Sequence, residues 1–194
     1  MLNVFREMDL LLIEKCKKGD RSAQQQLFNQ YAPKMMAVCR RYVSNKQEAE
    51  EILLVGFTLV FSKIDQFRNE GSLEGWIRKI MVNESLGFLR KRRSLFLFAE
   101  LQDADGETGP WPADSDLMTE DLLELIASLP DGYRTVFNLY ALDGYTHAEI
   151  AAKLGIEEAT SKSQLSRARQ LLRQRLDKIE GRKLKKSAHD GKSN

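Results

Sequence analysis

The pattern from Thr146 to Leu172 constrains this chain most. Thr146 can accept from the backbone at the start of a helix, and Glu149, three residues on, completes a capping box. Ile150, Ala151 and Leu154 then fall on one side, and Gly155 follows where a helix ends in a left-handed residue. Ile156 plugs the corner. A second helix opens at Glu157 or Thr160, with Ser161, Leu165, Ala168 and Leu172 as its inner face. Lys162, Ser163, Gln164, Ser166, Arg167 and Arg169 lie opposite. A cap, a small residue at the crossing, a turn glycine and a basic second helix predict a helix-turn-helix that enters a major groove. Gln164 and Arg167 suit base edges, and Lys162, Ser163, Ser166 and Arg169 suit phosphates.

The rest of the chain reads as all-α. Four prolines and 42% apolar residues without strand-like alternation leave helices at every patterned segment. A first helix is expected over Met8–Lys18, stopped by Gly19, and a second begins after an Asp20 or Ser22 cap. The second carries Ala23, Leu27, Phe28, Tyr31, Met35, Val38, Cys39 and Tyr42, with a kink or break at Pro33. A third runs from Lys46 to Phe67, burying Ala49, Ile52, Leu53, Gly56, Phe57, Val60 and Ile64. After the Asn69-Glu70-Gly71-Ser72 turn, a fourth covers Leu73 to Arg92. Residues 1–94 thus form one helical domain and 118–180 a second, with helices at Thr119–Ser128, Tyr133–Leu142, Thr146–Leu154 and Glu157–Lys178. Residues 95–117, acidic and carrying Gly106, Gly109, Pro110 and Pro112, form a flexible linker, and 181–194 a basic disordered tail.

A net charge of +2 conceals strong segregation. Six bases stand against Glu84 between Arg78 and Arg93, ten acids and no base between Ser94 and Tyr133, and ten bases against two acids between Lys162 and Lys186. Two basic segments flanking an acidic one predict two nucleic-acid contacts joined by a connector that avoids DNA. Phe67, Arg68, Asn69, Ser72, Trp76, Arg78, Lys79, Asn83 and Arg90 combine rings, amides and bases in the way a single-stranded nucleic acid requires. On the third helix, Leu54 and Phe61 face away from the inward set, an apolar stripe that predicts a protein partner.

Other function classes find little support. Cys16 and Cys39 lack zinc-site spacing and read as reduced thiols. His147 and His189 are isolated, and no nucleophile–base pair, metal cluster or phosphate loop occurs, so neither catalysis nor a cofactor or metal is expected. No signal peptide opens the chain, and the longest apolar run, Ile52 to Phe61, falls short of the roughly 20 residues a membrane helix needs. A cytoplasmic protein without membrane insertion is expected.

Two blocks carry a family resemblance. Glu48-Ala49-Glu50-Glu51-Ile52-Leu53 and the run from Phe67 to Asn83 resemble region 2 of bacterial RNA polymerase sigma factors of the extracytoplasmic-function (ECF) type. Leu129-Pro130-Asp131-Gly132-Tyr133-Arg134-Thr135-Val136-Phe137, Gly144 to Ala151 and Thr160 to Arg169 resemble region 4. The resemblance implies a non-enzymatic factor that binds core RNA polymerase, selects promoters and opens DNA. It assigns minus-35 duplex contact to Lys162, Ser163, Gln164, Ser166, Arg167 and Arg169, and single-stranded minus-10 contact to Phe67, Arg68, Asn69, Ser72, Trp76, Arg78, Lys79, Asn83 and Arg90. Docking on the β′ coiled coil falls to Glu51, Leu54, Val55, Thr58 and Phe61, and region 4 holds the β flap. The family pattern has Gln and an acid where this chain has Leu54 and Val55. An anti-sigma factor is a further partner that the resemblance admits. The alternative from the residues themselves is a dimeric helix-turn-helix regulator that works without polymerase.

Overall fold

A computed structural model describes the backbone of residues 2–97 and 123–190, and side chains over 10–92 and 123–177. Among these residues every regular element is helical. Two compact units divide between Glu107 and Thr108. Most of the expected linker (98–117), the start of the helix expected at Thr119, and residues 191–194 lie outside the described residues.

In the first unit, α1 (Leu2–Lys17), α2 (Arg21–Tyr42), α3 (Lys46–Ser62) and α4 (Leu73–Leu97) surround a core that includes Leu27, Met35, Tyr42, Ile52, Val60, Ile77 and Met81. The helix starts are set by short polar side chains. Asp20 accepts from the Ser22 and Ala23 amides, and Asn45 from those of Gln47 and Glu48, satisfying donors that no intrahelical carbonyl reaches. Pro33 does not break α2, which runs unbroken to Tyr42. The proline is exposed, so the Asn29 carbonyl that loses its amide partner is left on the solvent side.

The third helix is shorter than its pattern suggests. It ends at Ser62, and Ile64–Gln66 form a 3-10 turn. Three residues per turn place Ile64 and Phe67 one above the other, and both are buried. The fourth helix extends past Arg92 to Leu97, into the stretch expected to begin the linker.

The second unit contains α5 (residues 123–127), α6 (Asp131–Phe137), α7 (His147–Leu154) and α8 (Glu158–Asp190). Its core joins Leu125 and Leu129 to Ala168 and Leu172, with Tyr133, Phe137 and Leu171 packed around them. The α6 helix begins two residues earlier than expected and closes in a wider π turn, Asn138–Leu142. There the Asp143 amide donates to the Asn138 carbonyl at 2.9 Å. Residues 181–190 continue α8 rather than leaving it as a disordered tail. Lys183, Leu184, Lys185 and Lys186 are good helix formers, and no proline interrupts the register.

Candidate nucleic-acid and polymerase interfaces

The corner between α7 and α8 is built by its backbone chemistry. Thr146 Oγ1 accepts from the Glu149 amide at 3.3 Å, and Glu149 Oε2 accepts from the Thr146 amide at 2.8 Å. The Thr146 amide, and after it the Thr146 hydroxyl, which also donates to Glu149 Oε2 at 2.8 Å, hold the Glu149 carboxyl below the usual range. At the other end, Gly155 adopts φ +65, and the Gly155 and Ile156 amides both donate to the Ala151 carbonyl. A side chain at this left-handed position would be strained. The helices therefore meet over a few residues, with Ile150 buried between them.

On α8, Ser161, Leu165, Ala168 and Leu172 are all buried. Lys162, Ser163, Ser166, Arg167 and Arg169 are exposed, giving the basic face that the pattern predicts. Gln164 departs from it. The side chain is half-buried beside the N-terminus of α6, where its amide lies 3.7 Å from where a Cβ on Gly132 would stand. Three of the cations meet groups of their own unit. Lys162 pairs with Glu158 at 2.7 Å, Arg167 donates to the Tyr133 hydroxyl at 3.3 Å, and the Arg169 guanidinium lies 5.7 Å from the Tyr140 ring centre. The bond from Lys162 lowers the Glu158 carboxyl pKa.

Two features of this unit have no signature in the sequence. Arg134, although charged, is 3% exposed. Its Nη1 donates to the carbonyls of Ala127 (2.8 Å) and Leu129 (3.1 Å), and Nη2 pairs with Asp131. It closes the carbonyl end of α5 and fixes the α5–α6 corner. His147 is also less isolated than its sequence suggests, with Nδ1 2.9 Å from Ser161 Oγ and its ring stacked on Tyr140 at 4.5 Å.

In the first unit, the loop before α4 turns through two left-handed residues, Asn69 (φ 58) and Gly71 (φ 106). Asparagine tolerates this conformation better than most side chains. Arg68, Asn69, Glu70 and Ser72 are exposed on the loop, and Ser72 Oγ accepts from the Gly75 amide at 3.0 Å, capping α4. Along α4, Lys79, Asn83, Arg90 and Lys91 are exposed, while Trp76 and Arg78 are half-buried. Arg78 pairs with Glu74 at 3.5 Å, and Lys34 of α2 reaches the same carboxylate at 2.8 Å. The Lys34 hydrogen bond is the main cause of the lowered Glu74 pKa.

Phe67 requires a correction. It is 6% exposed and packs against Trp76 with ring centres 5.5 Å apart, so it supports the loop from below and offers no free face to a base. Sequence alone could not separate it from an exposed stacking ring, because both occur beside bases and amides.

The outer side of α3 exposes Glu51, Leu54, Val55 and Thr58, with Leu54 59% exposed. Phe61 is less outward than expected. It is half-buried, 6.0 Å from the Phe57 ring. On the neighbouring side, Phe28, Asn29, Ala32, Pro33, Met36 and Leu53 line a shallow groove of about 500 Å³.

The sigma-70 region 2 family matches residues 27–95, and sigma-70 region 4 matches 119–172. The ECF RNA polymerase sigma factor SigW of Bacillus subtilis is 31% identical over 176 residues, covering 84% of this chain and 94% of that protein. The chain belongs to the ECF sigma factors. It binds core RNA polymerase and promoter DNA and directs promoter-specific initiation of transcription. The ECF sigma-E factor of Haemophilus influenzae is 25% identical, with coverage of 88% of this chain and 96% of its relative. The fold is similar to that of RpoE from Bartonella quintana, solved with the anti-sigma factor NepR, at a TM-score of 0.51 and 23% identity, covering 79% of this chain and 96% of that one. A match to both sigma regions, in order, disfavours the reading as a dimeric regulator independent of polymerase. Sigma factors in general are not enzymes. Among the described residues, no helix of this sigma factor is long and apolar enough to cross a membrane.

Proposed function

We propose a division of labour between the two units. The second unit reads the minus-35 duplex through Lys162, Ser163, Ser166, Arg167 and Arg169, with Gln164 reaching the groove from its α6 edge. The first unit holds the separated minus-10 strand through Arg68, Asn69, Ser72, Trp76, Arg78, Lys79, Asn83 and Arg90. The outer side of α3, with Glu51, Leu54, Val55, Thr58 and Phe61, docks on the β′ coiled coil, and the second unit also holds the β flap. The functional boundaries are 1–94 for polymerase and minus-10 contact and 118–180 for minus-35 contact, joined by the acidic segment 95–117. The protein works in the cytoplasm, by binding rather than catalysis, and an anti-sigma factor regulates it by covering these surfaces.

The observation that carries this reading is the segregation on α8. Every residue of the inner set is buried, while hydroxyls and cations crowd the exposed side within one helix. That is the composition a major groove requires, with cations for phosphates and short polar groups where the backbone approaches closely.

Run-off transcription with core polymerase on genomic fragments identifies a promoter on which the assignment is tested. Arg167→Ala should lower upstream occupancy in footprints while leaving the unfolding free energy within about 0.5 kcal/mol of wild type, as exposed positions usually do. Asn69→Ala should retain occupancy but reduce permanganate reactivity of the opened strand. Unchanged footprints with Arg167→Ala, or full opening with Asn69→Ala, would remove the corresponding assignment.

A further inference from the structure

The π turn that ends α6 brings residues from three elements together. Widening the last turn, with the Asp143 amide reaching back to Asn138 and the Tyr145 amide to Leu139, carries Tyr140 out to 37% exposure beside the start of α7 and the middle of α8. π turns inside helices are frequent at functional sites. Here the Tyr140 ring meets an imidazole and a guanidinium. The His147 imidazole is stacked on it at 4.5 Å with 23° between the planes, and the Arg169 guanidinium sits 5.7 Å from its centre. His147 is in turn tied through Nδ1 to Ser161 Oγ at 2.9 Å, and Ser161 is fully buried.

These contacts form a chain of support. Buried Ser161 fixes the imidazole, the imidazole fixes the plane of Tyr140, and the negative face of that ring attracts the exposed guanidinium. Arginine carries a long, rotamer-rich side chain, and ordering it on DNA is unfavourable unless the free protein has already restricted it. A neutral ring restricts it without neutralising its charge, so the guanidinium remains able to take a phosphate. A carboxylate in the same place would compete with that phosphate.

We infer that Tyr140 is a positioning residue for promoter recognition, holding Arg169 in the orientation in which it meets a DNA phosphate. This rests on the reading of α8 as the minus-35 helix. It gives the π turn a role, and it assigns to α6 an influence on DNA affinity that no contact of its own with DNA is needed to explain.

The test uses the full-length chain and a fluorescent mixed-sequence DNA duplex, since a phosphate contact is independent of sequence. Anisotropy titrations over a range of salt give both affinity and the slope of log K against log salt. Arg169→Ala should weaken binding and reduce the slope by about one. Tyr140→Ala should weaken binding about three-fold, the size of an exposed cation–π contact, with the slope unchanged because the charge remains. Tyr140→Phe, which keeps the ring, should bind as wild type. Tyr140→Leu, which covers the same surface without a π face and guards against loss of fold, should behave like Tyr140→Ala. The double variant Tyr140→Ala/Arg169→Ala should bind no more weakly than Arg169→Ala.

Additive losses in the double variant, or wild-type binding by Tyr140→Ala and Tyr140→Leu while Arg169→Ala is weakened, would overturn the positioning role and leave the α8 reading intact. Wild-type affinity and slope in Arg169→Ala would overturn both the phosphate contact at this residue and the role of Tyr140 in it.

Discussion

Replacing Arg134 with methionine removes a guanidinium from the interior while keeping most of the side chain's length. The guanidinium is 3% exposed and donates to two main-chain carbonyls, those of Ala127 and Leu129, besides pairing with Asp131. The three partners do not contribute equally. Asp131 has a side chain 55% exposed, so water replaces most of what it gains from the pair, and Asp131→Asn should lower stability by no more than about 1 kcal/mol. The Ala127 carbonyl stands at the last residue of α5 and the Leu129 carbonyl in the turn that follows it, and the guanidinium is a charged donor to both. Losing charged donors to both, and leaving them without that partner in the interior, should lower stability by about 3–5 kcal/mol, the usual consequence of breaking a buried charged network. Domains of this size are stable by only about 5–15 kcal/mol. The variant should therefore leave a substantial fraction of the second unit unfolded near its working temperature, with loss of minus-35 contact as a secondary effect. Urea unfolding followed by far-UV circular dichroism on wild type, Arg134→Met, Arg134→Lys and Asp131→Asn gives the comparison. Lysine has three donors on a single point and cannot span the fork of acceptors, so it should recover part of the loss. A loss below about 1 kcal/mol for Arg134→Met, or an Asp131→Asn loss as large as that of Arg134→Met, would refute the carbonyl-capping argument.

Two glycines in the first unit should respond oppositely to alanine. At Gly56 a Cβ would stand 2.4 Å from Met81 Sδ, and Met81 is fully buried, so overpacking of about 1–3 kcal/mol should outweigh a helix-propensity gain of up to about 1, lowering the melting temperature. A Cβ on Gly87 meets nothing within 4 Å, and Gly87→Ala should raise the melting temperature by the propensity gain; a rise in both variants would show that Met81 has room to move. Burial pushes the Cys39 thiol up to about 12, against an ordinary value near 8.5 in the unfolded chain. The folded state then holds its proton over a range where the unfolded state releases it, so this contribution is intact below the unfolded value and drains away as pH rises toward about 12. Stability measured by urea titration should fall with pH above 9 less steeply in Cys39→Ala than in wild type, and equal slopes would refute the assignment.

The helix-turn-helix corner was legible because its determinants are local. Thr146, Glu149 and Gly155 act on backbone groups within four residues of themselves, and those interactions do not depend on what packs nearby. The inner face of α8 was legible for a related reason, since a helix fixes which residues share a side. What the sequence hid depends on distant partners. Arg134 looks like a surface base until the carbonyls of Ala127 and Leu129 are brought around it. Phe67 looks like a stacking ring until Trp76 is seen to pack against it. The π turn at Asn138–Leu142 carries no residue signature, and with it the meeting of Tyr140 with His147 and Arg169, which lie 7 and 29 residues further along the chain, stayed hidden. On α3, the exposure of Leu54 followed from the helical period, but the half-burial of Phe61 required knowing that Phe57 lies beside it.

The cations of α8 divide by the kind of group that holds them. Lys162 is paired with a carboxylate that any arriving phosphate must displace, although an exposed pair of this kind resists by less than about 1 kcal/mol. Arg167 and Arg169 rest on the hydroxyl of Tyr133 and the ring of Tyr140, neutral groups that can stay in place while a phosphate or base edge is bound. The first arrangement limits affinity for arbitrary DNA, and the second lowers the ordering penalty at positions where geometry matters. A single helix with this balance is suited to moderate affinity and good discrimination. Under the proposed division of labour, such a balance suits initiation, because a second DNA contact on the same chain raises the effective concentration of each reader at its own element.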